Sequence, residues 1–406
     1  MRQMRFTWPL ARRPIRSHYV KRCFMTELKN LIASGESSHL EFKSEQVKPE
    51  DVAKEIVSFL NFQGGKILLG VEDDGTISGV SRPDVEEWVI NICRNNVVPQ
   101  IIPGYQKLSI EGKDVVVLDI PTGIAKPYHT QKGDYYIRAG STARKASREE
   151  LSRLFQDSGL IHYETTPIAS TQVADLNWQR VQDYFLNIHP AQINFKDEDE
   201  AARHRLLQNL DILAADGATT VVGMLIFGLQ PERHLPQSEV LFAHFKGREI
   251  SAELLDRKSL TGPLPQVIED AQRVLSLNLP SASTIEGMKR VEQIIFPDKV
   301  LRELIVNALL HRRWGLMGNV RIFLFEDRLQ ISSPGRLPNG VTIEKMKEST
   351  HVPRNPILMK FLQDYHFVEK LGRGIPMVVR EMKKLGVREP DFHESGEEFI
   401  VTLYRK

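Results

Sequence analysis

Val300-Leu-Arg-Glu-Leu-Ile-Val-Asn-Ala-Leu-Leu-His-Arg-Arg313 is the stretch on which the reading of this 406-residue chain turns. At helical spacing Glu303, Asn307 and His311 fall at i, i+4 and i+8, on one face. Leu301, Leu304, Ile305, Val306, Ala308, Leu309 and Leu310 cover most of the remainder. A helix that is apolar on nearly every other side is a buried one, and a buried polar stripe needs partners because an unpaired buried charge is costly. The stripe therefore reads as the floor of a pocket. The predicted helix runs over 300–313, with Asp298 as its N-cap.

Working outward toward the C-terminus, a hairpin is predicted over 319–332. The loop Ser333-Pro-Gly-Arg-Leu-Pro-Asn-Gly340 then carries Gly335 and Gly340 at the end of a strand, where a chain bends around a ligand. After the stretch 343–370, Leu371-Gly-Arg-Gly-Ile375 opens a helix over 376–385, so that Gly372 and Gly374 lie where unpaired backbone N–H groups and the positive dipole end favour phosphate. A strand Glu398 to Tyr404 closes the unit. No G-x-x-x-x-G-K-[ST] loop occurs, so a helicase motor has no support.

Toward the N-terminus, residues 160–295 read as an α/β connector with helices over 177–186, 199–213 and 264–275 and strands over 220–227 and 240–245. Its charged pairs carry no chemical motif. Residues 26–159 read as a compact mixed α/β unit: a strand around Leu40 to Glu45, a helix from Pro49 stopped by Gly64-Gly65, a strand Lys66 to Val71 and the Asp74-Gly75 turn, followed by further elements. In the first strand Leu40 and Phe42 alternate with Glu41, Lys43 and Glu45, which makes one face charged. Glu36, Glu41 and Asp73 are candidate ligands for Mg²⁺ or Mn²⁺, the arrangement that activates water against a phosphodiester; by spacing alone the reading as surface acids is the stronger one. Lys43, Arg138, Arg144 and Lys145, beside Tyr135 and Tyr136, are candidate nucleic-acid contacts.

Composition bounds these readings. With 41% hydrophobic and 26% charged residues the chain is an α+β globular protein, and its length implies at least two domains. It has no apolar run long enough to span a bilayer, so no membrane partner is expected. Cys23 and Cys93 alone make neither a disulfide framework nor a zinc site, which suits a cytoplasmic protein. Seven of the basic residues lie in the first 25, which contain no acid, so the remainder nets about −5. This arm, 1–25, reads either as a nucleic-acid or targeting segment or as an over-long start with Met25 as initiator.

From about 290 to 400 the chain resembles the GHKL ATPase superfamily, in the divergent branch of bacterial predicted transcriptional regulators described as helicase-related. The likeness is carried by Arg302-Glu-Leu-Ile-Val-Asn-Ala-Leu-Leu-His-Arg312, Ile331 to Gly340, Pro353-Arg-Asn-Pro356 and Glu369-Lys-Leu-Gly-Arg-Gly-Ile375. It implies an α/β sandwich over 296–406 that binds ATP with Mg²⁺. Glu303 would polarise the attacking water, Asn307 would help hold Mg²⁺, Gly335, Gly340, Gly372 and Gly374 would line the nucleotide, and Arg354 would meet phosphates. Ser333 stands where the superfamily usually has the Asp that accepts from the adenine amino group. Gly35-Glu-Ser-Ser-His-Leu-Glu-Phe-Lys43, Phe59 to Gly75 and Tyr136-Ile-Arg-Ala-Gly-Ser141 resemble the Schlafen AlbA-type domain. That likeness implies DNA or RNA binding and, from the metal-dependent RNases among its members, catalytic roles for Glu36, Glu41 and Asp73. The expected function is a nucleic-acid-binding regulator with an ATP-binding domain. The alternative is a nucleotide-gated, metal-dependent endoribonuclease acting on structured RNA such as tRNA, in stress or phage defence. A single Schlafen-like lobe also suggests a homodimer that embraces a duplex.

Overall fold

The computed structural model describes residues 26, 28–279, 282–286, 289–293, 295–338, 341–348, 352–368 and 372–405, with 157, 282–286 and 289–293 described by backbone alone. The basic arm and Gly340 lie outside the described residues. The chain divides into two compact units, residues 1–158 and 159–406.

In the first unit β1 (Leu40–Lys43), α1 (Pro49–Asn61) and β2 (Gly65–Leu69) make a parallel crossover, and α2 (Val85–Asn95), β3 (Val97–Val98), β4 (Gly104–Ile110) and β5 (Lys113–Ile120) follow. The sheet order is β1-β2-β5-β4, antiparallel beyond the first pair. Pairs β3 with β6 (His129–Thr130) and β7 (Tyr136–Ala139) with β8 (Thr142–Lys145) precede α3 (Arg148–Asp157). Period-two alternation divides the sheet cleanly. Ile67, Leu69, Val116, Leu118 and Ile120 join Val52, Ile56, Phe59 and Leu60 of α1 in one core, whereas Leu40, Phe42, Leu68, Val115 and Val117 form a second core on the opposite face. Glu41 therefore projects from the face opposite Leu40 and Phe42, and it is buried. The charged strand face predicted from the sequence is present, but it is a covered one.

The second unit contains α4 (Trp178–Asp183), α5 (Glu200–Asn209), α6 (Val221–Phe227), α7 (Pro231–His234), β9 (Val240–Phe245), β10 (Leu254–Leu260), α8 (Leu264–Asn278) and the hairpin β11 (Ala282–Glu286) and β12 (Lys289–Gln293). It continues through α9 (Asp298–Leu310), β13 (Val320–Leu324), β14 (Arg328–Pro334), α10 (Ile343–Lys347), α11 (Pro356–Asp364), α12 (Gly374–Lys384), β15 (Asp391–Ser395) and β16 (Glu398–Tyr404). The sheet order is β10-β9-β13-β14-β16-β15, with β9 parallel to β13. Because β9 and β10 lie in the same sheet as β13 to β16 and share one hydrophobic core with α9, the connector 160–295 and the segment 296–406 form one unit rather than two. Residues 221–227 are a helix, not the predicted strand: every residue is buried, so no alternation marks the element, and Thr220 Oγ1 caps it by accepting from the Gly223 N–H at 3.0 Å. Helix α9 ends at Leu310, three residues earlier than its apolar pattern suggested, and Pro297 rather than Asp298 is its N-cap.

Two carboxylates, Glu164 buried and Asp364 half-buried, fix the ends of α11 in this unit. Glu164, 1% exposed, accepts the N–H groups of Ile357 at 2.8 Å and Leu358 at 2.7 Å in the first turn of α11. Tyr184 Oη donates to Asp364 at 2.6 Å at the other end of that helix. Burial pushes the Glu164 carboxyl up to about 7, against the pull of its two N–H donors and with help from the charge of Asp211. The folded state thus holds this proton more tightly than a free carboxyl does. The corresponding stability is complete below pH 4.5 or so and is lost as pH rises through about 7. Glu164→Gln should remove about 3 kcal/mol of the decline in second-unit stability across that window, as measured by urea unfolding. An unaltered pH dependence would contradict this account of the residue.

Candidate functional site

A cavity of about 470 Å³ opens beside α9 in the second unit. Glu303, Asn307 and His311 all line it, so the stripe read from the sequence is its wall. Asn307 Nδ2 donates to Glu303 Oε1 at 2.7 Å, which leaves the Asn307 amide oxygen as its acceptor atom. Ser333, Gly335, Arg336, Leu337 and Pro338 contribute a second wall, and Gly372, Arg373, Gly374 and Ile375 a third. Gly374 opens α12 directly against Glu303: a Cβ placed on it would come within 1.6 Å of Glu303 Oε1, so no other residue fits there without displacing the carboxylate.

The walls are held by the capping of α9. A helix C-terminus leaves carbonyls without intrahelical partners. Here Asn355 Nδ2 donates to Leu310 O at 2.7 Å and to Arg312 O at 2.9 Å, while Arg354 Nη1 donates to His311 O at 2.6 Å. Arg354 also donates through Nη2 to Arg336 O, and Arg313 N–H donates to Pro334 O at 2.7 Å. Gly335, at φ +115°, lets these segments meet: a Cβ would lie 2.8 Å from Arg354 Nη1 and 3.0 Å from the Arg313 nitrogen. Arg354 lines the cavity as expected, but its guanidinium ties helix end to loop. Ser333 Oγ donates to Ala308 O at 2.6 Å and so fastens β14 to α9.

Sequence reasoning passed over Arg373. It is the residue preceding α12, is exposed and lines the cavity, and its side chain makes no ion pair or hydrogen bond among the described residues. Its signal was its place between Gly372 and Gly374, at the positive end of a helix.

In the first unit, the structure reassigns several candidates. Arg138 is fully buried: Nη1 donates to Glu55 at 2.7 Å, and Nη2 to Glu41 at 2.8 Å, Ser37 O at 2.8 Å and Ser141 O at 2.9 Å, with the guanidinium 4.4 Å from the Phe59 ring centroid. It is a structural hub rather than a nucleic-acid contact, because its donors are turned inward. Lys43 pairs with Glu41; burial works against its charge, but the hydrogen bond to Glu41 and the fields of Glu41, Glu55 and Glu36 hold its ammonium above the usual range. Burial and the Glu41 charge push Glu55 up to about 7 in spite of Arg138 and Lys43. Glu36 accepts from the Phe42 N–H at 2.9 Å, and Asp73 is exposed in the Asp73-Asp74-Gly75 turn. Both Glu41 oxygens are engaged by cations, and no cluster of three or more His, Cys, Asp or Glu side chains suited to a metal forms among the described residues. The three carboxylates in this arrangement do not fit a divalent-ion site. Arg144 and Lys145 are exposed and paired with Glu150 at 2.6 Å and Asp134 at 2.7 Å. Arg148 and Arg153 nearby are exposed, and their side chains make no hydrogen bond or close ion pair among the described residues.

Removing the hub should leave two buried acids uncompensated. Arg138→Ala is expected to destabilise the first unit by about 3–5 kcal/mol in urea unfolding. Arg138→Lys should recover less than half of that, since one ammonium cannot reproduce a fork that reaches both carboxylates. A lysine variant as stable as the parent would refute the hub.

Residues 36–147 match the family "Schlafen, AlbA_2", and residues 318–403 match the family "Putative ATP-dependent DNA helicase recG C-terminal". Among solved structures the chain is similar to the DIP2311 protein from Corynebacterium diphtheriae, at 20% identity over 95% of this chain and 81% of that one, with a TM-score of 0.48. It is also similar to the N-terminal domain of a putative ATP-dependent DNA helicase RecG-related protein from Nitrosomonas europaea, at 24% identity over 29% of this chain and 92% of that one, with a TM-score of 0.24. No curated protein matches the chain. Among the described residues no helix is long and apolar enough to cross a membrane. The chain thus joins a Schlafen AlbA_2 domain to a domain of the RecG C-terminal, ATPase-like family.

Proposed function

We propose that the protein is a nucleic-acid-binding regulator whose C-terminal unit binds ATP with Mg²⁺. The observation that carries the nucleotide half is the composition of the cavity lining. Leu304, Val306, Ile331, Phe367, Ile375 and Phe399 give it an apolar body, and Glu303 is the single acid among its described lining residues; of its cations, Lys299 and Arg380 pair with Glu381 and Arg336 with Glu394, while Arg302, Arg354 and the exposed Arg373 also line it. A ligand with a flat apolar part and several negative charges satisfies such a lining. The family matched by residues 318–403 supports the same reading.

In this reading the first-turn N–H groups of α12 and the Arg373 side chain receive phosphate oxygens, and Gly372 and Gly374 let the backbone come close. Asn307 offers an amide oxygen to Mg²⁺, a hard ligand of the kind that ion takes alongside phosphates and water. Bound Mg²⁺ would neutralise phosphate charge. Glu303 is the residue that would orient water, and Arg354 holds the loop on which the base rests. The Ser333 proton is committed to Ala308, so adenine selectivity rests on a weaker group than a carboxylate.

The nucleic-acid half is supported by the Schlafen AlbA_2 match and by the exposed Arg144, Lys145, Arg148 and Arg153. The ion pairs of Arg144 and Lys145 are solvent-exposed and weak, so phosphates compete for these cations readily. Glu41 and Glu36 already have other partners, which speaks against the ribonuclease alternative.

At a hundredfold excess over its Kd, ATP with Mg²⁺ should stabilise the second unit by about 2.7 kcal/mol, read as a rise in melting temperature. Arg373→Ala should weaken that affinity about tenfold, and Glu303→Gln should retain binding while losing any hydrolysis. No thermal response to ATP, ADP or their Mg²⁺ complexes would overturn the nucleotide reading. For the first unit, the double variant Arg144→Ala, Lys145→Ala should weaken binding to single-stranded RNA or duplex DNA and lower the slope of log affinity on log salt by about 2 in fluorescence anisotropy.

A further inference from the structure

The chain leaves α11 through a turn closed by two backbone bonds, from His366 N–H to Gln363 O at 2.9 Å and from Phe367 N–H to Leu362 O at 2.8 Å. A helix end closed in this way needs a left-handed residue just beyond its cap, and glycine adopts that conformation without strain. Here the residue is His366, at φ +59°. A Cβ is disfavoured in that region, so a histidine is a strained choice where glycine closes the same turn.

Among the described residues five other than glycine hold a positive φ: Glu111, Ser170, Gln192, Asp211 and His366. Of these, His366 alone lines the cavity beside α9. It is exposed, and its side chain makes no hydrogen bond or ion pair among the described residues. The turn that carries it is gripped through its backbone instead: Arg302 Nη2 donates to His366 O at 2.5 Å, and the same guanidinium lies 5.2 Å from the centroid of the Phe367 ring. Arg302 precedes Glu303, the residue that lies against Gly374. Through Arg302 the turn is thus fastened to the stretch of α9 that faces the start of α12.

We propose that His366 is a ligand-contacting residue of this cavity, its imidazole N–H donating to phosphate oxygens of the bound nucleotide; the inference rests on the nucleotide reading above. The turn is closed and clamped by backbone atoms, so the fold makes no use of the ring, and no bond of the side chain offsets the strain that the residue brings. Strain of this kind collects at ligand sites. In the nucleotide reading the first turn of α12 and Arg373 receive the phosphates, and the Arg302 clamp ties His366 to that end of the cavity. An imidazole there adds a hydrogen bond to a charged acceptor, which is of the stronger class.

Calorimetric titration of ATP and of adenosine into the full chain with Mg²⁺ tests this, beside thermal unfolding of the nucleotide-free protein. His366→Gly should weaken ATP binding about tenfold and leave adenosine binding unchanged. The nucleotide-free second unit of that variant should melt about 2 °C higher, because the strained position is relieved. His366→Gln, which returns a side-chain N–H without the freedom of glycine, should bind ATP within about threefold of the parent. Equal ATP affinity in the parent and His366→Gly would overturn the inference and leave the nucleotide site standing. An equal loss for ATP and adenosine, or a His366→Gly protein that melts below the parent, would overturn it as well, since the ring would then serve the base or the fold. A parent chain that binds neither ATP nor adenosine would overturn the inference together with the nucleotide reading beneath it.

Discussion

The carbonyls at the C-terminal end of α9 set the geometry of the second unit. Leu310, His311 and Arg312 present acceptors that the helix cannot satisfy, and Arg354 and Asn355 satisfy them from a segment more than 40 residues further along the chain. A buried acceptor left unmade costs about 1–3 kcal/mol, so three together hold the 353–356 turn firmly against the helix. Arg336 and Pro334 are drawn in by the same set of bonds, and Gly335 is the point at which the crowding permits no side chain. The cavity is what remains open between elements fixed in this way.

Both units hold charge inside, by different means. In the first, Arg138 gathers Glu41 and Glu55 into a network in which cation and anion desolvate each other. In the second, Glu164 is set against helix N–H groups and Arg312 against carbonyls and an indole ring, so dipoles stand where counter-ions would. Burial raises Glu164 against the pull of its N–H donors and lowers Arg312, and it raises Glu55 as well in spite of the Arg138 charge.

What could be read from the sequence was local. The Glu303, Asn307 and His311 stripe, the strand ending in Ser333 and the glycines before α12 are short-range patterns, and each lies on the cavity as spacing suggested. What could not be read was set by distant partners. Arg138 looked like a surface cation because nothing near it shows that it meets Glu41 and Glu55, 97 and 83 residues away. For the same reason Glu36, Glu41 and Asp73 looked like a metal set. Residues 221–227 concealed a helix because complete burial removes periodicity, and the parallel pairing of β9 with β13 merged a supposed connector into the C-terminal sheet.

The central claim is the place at which nucleotide binds, and hydrogen–deuterium exchange of the full chain with and without ATP and Mg²⁺ tests it most directly. The account predicts ATP-dependent protection confined to the second unit and centred on residues 303–311, 333–338 and 372–377. Protection absent from these segments, or found only elsewhere in the chain, would contradict it.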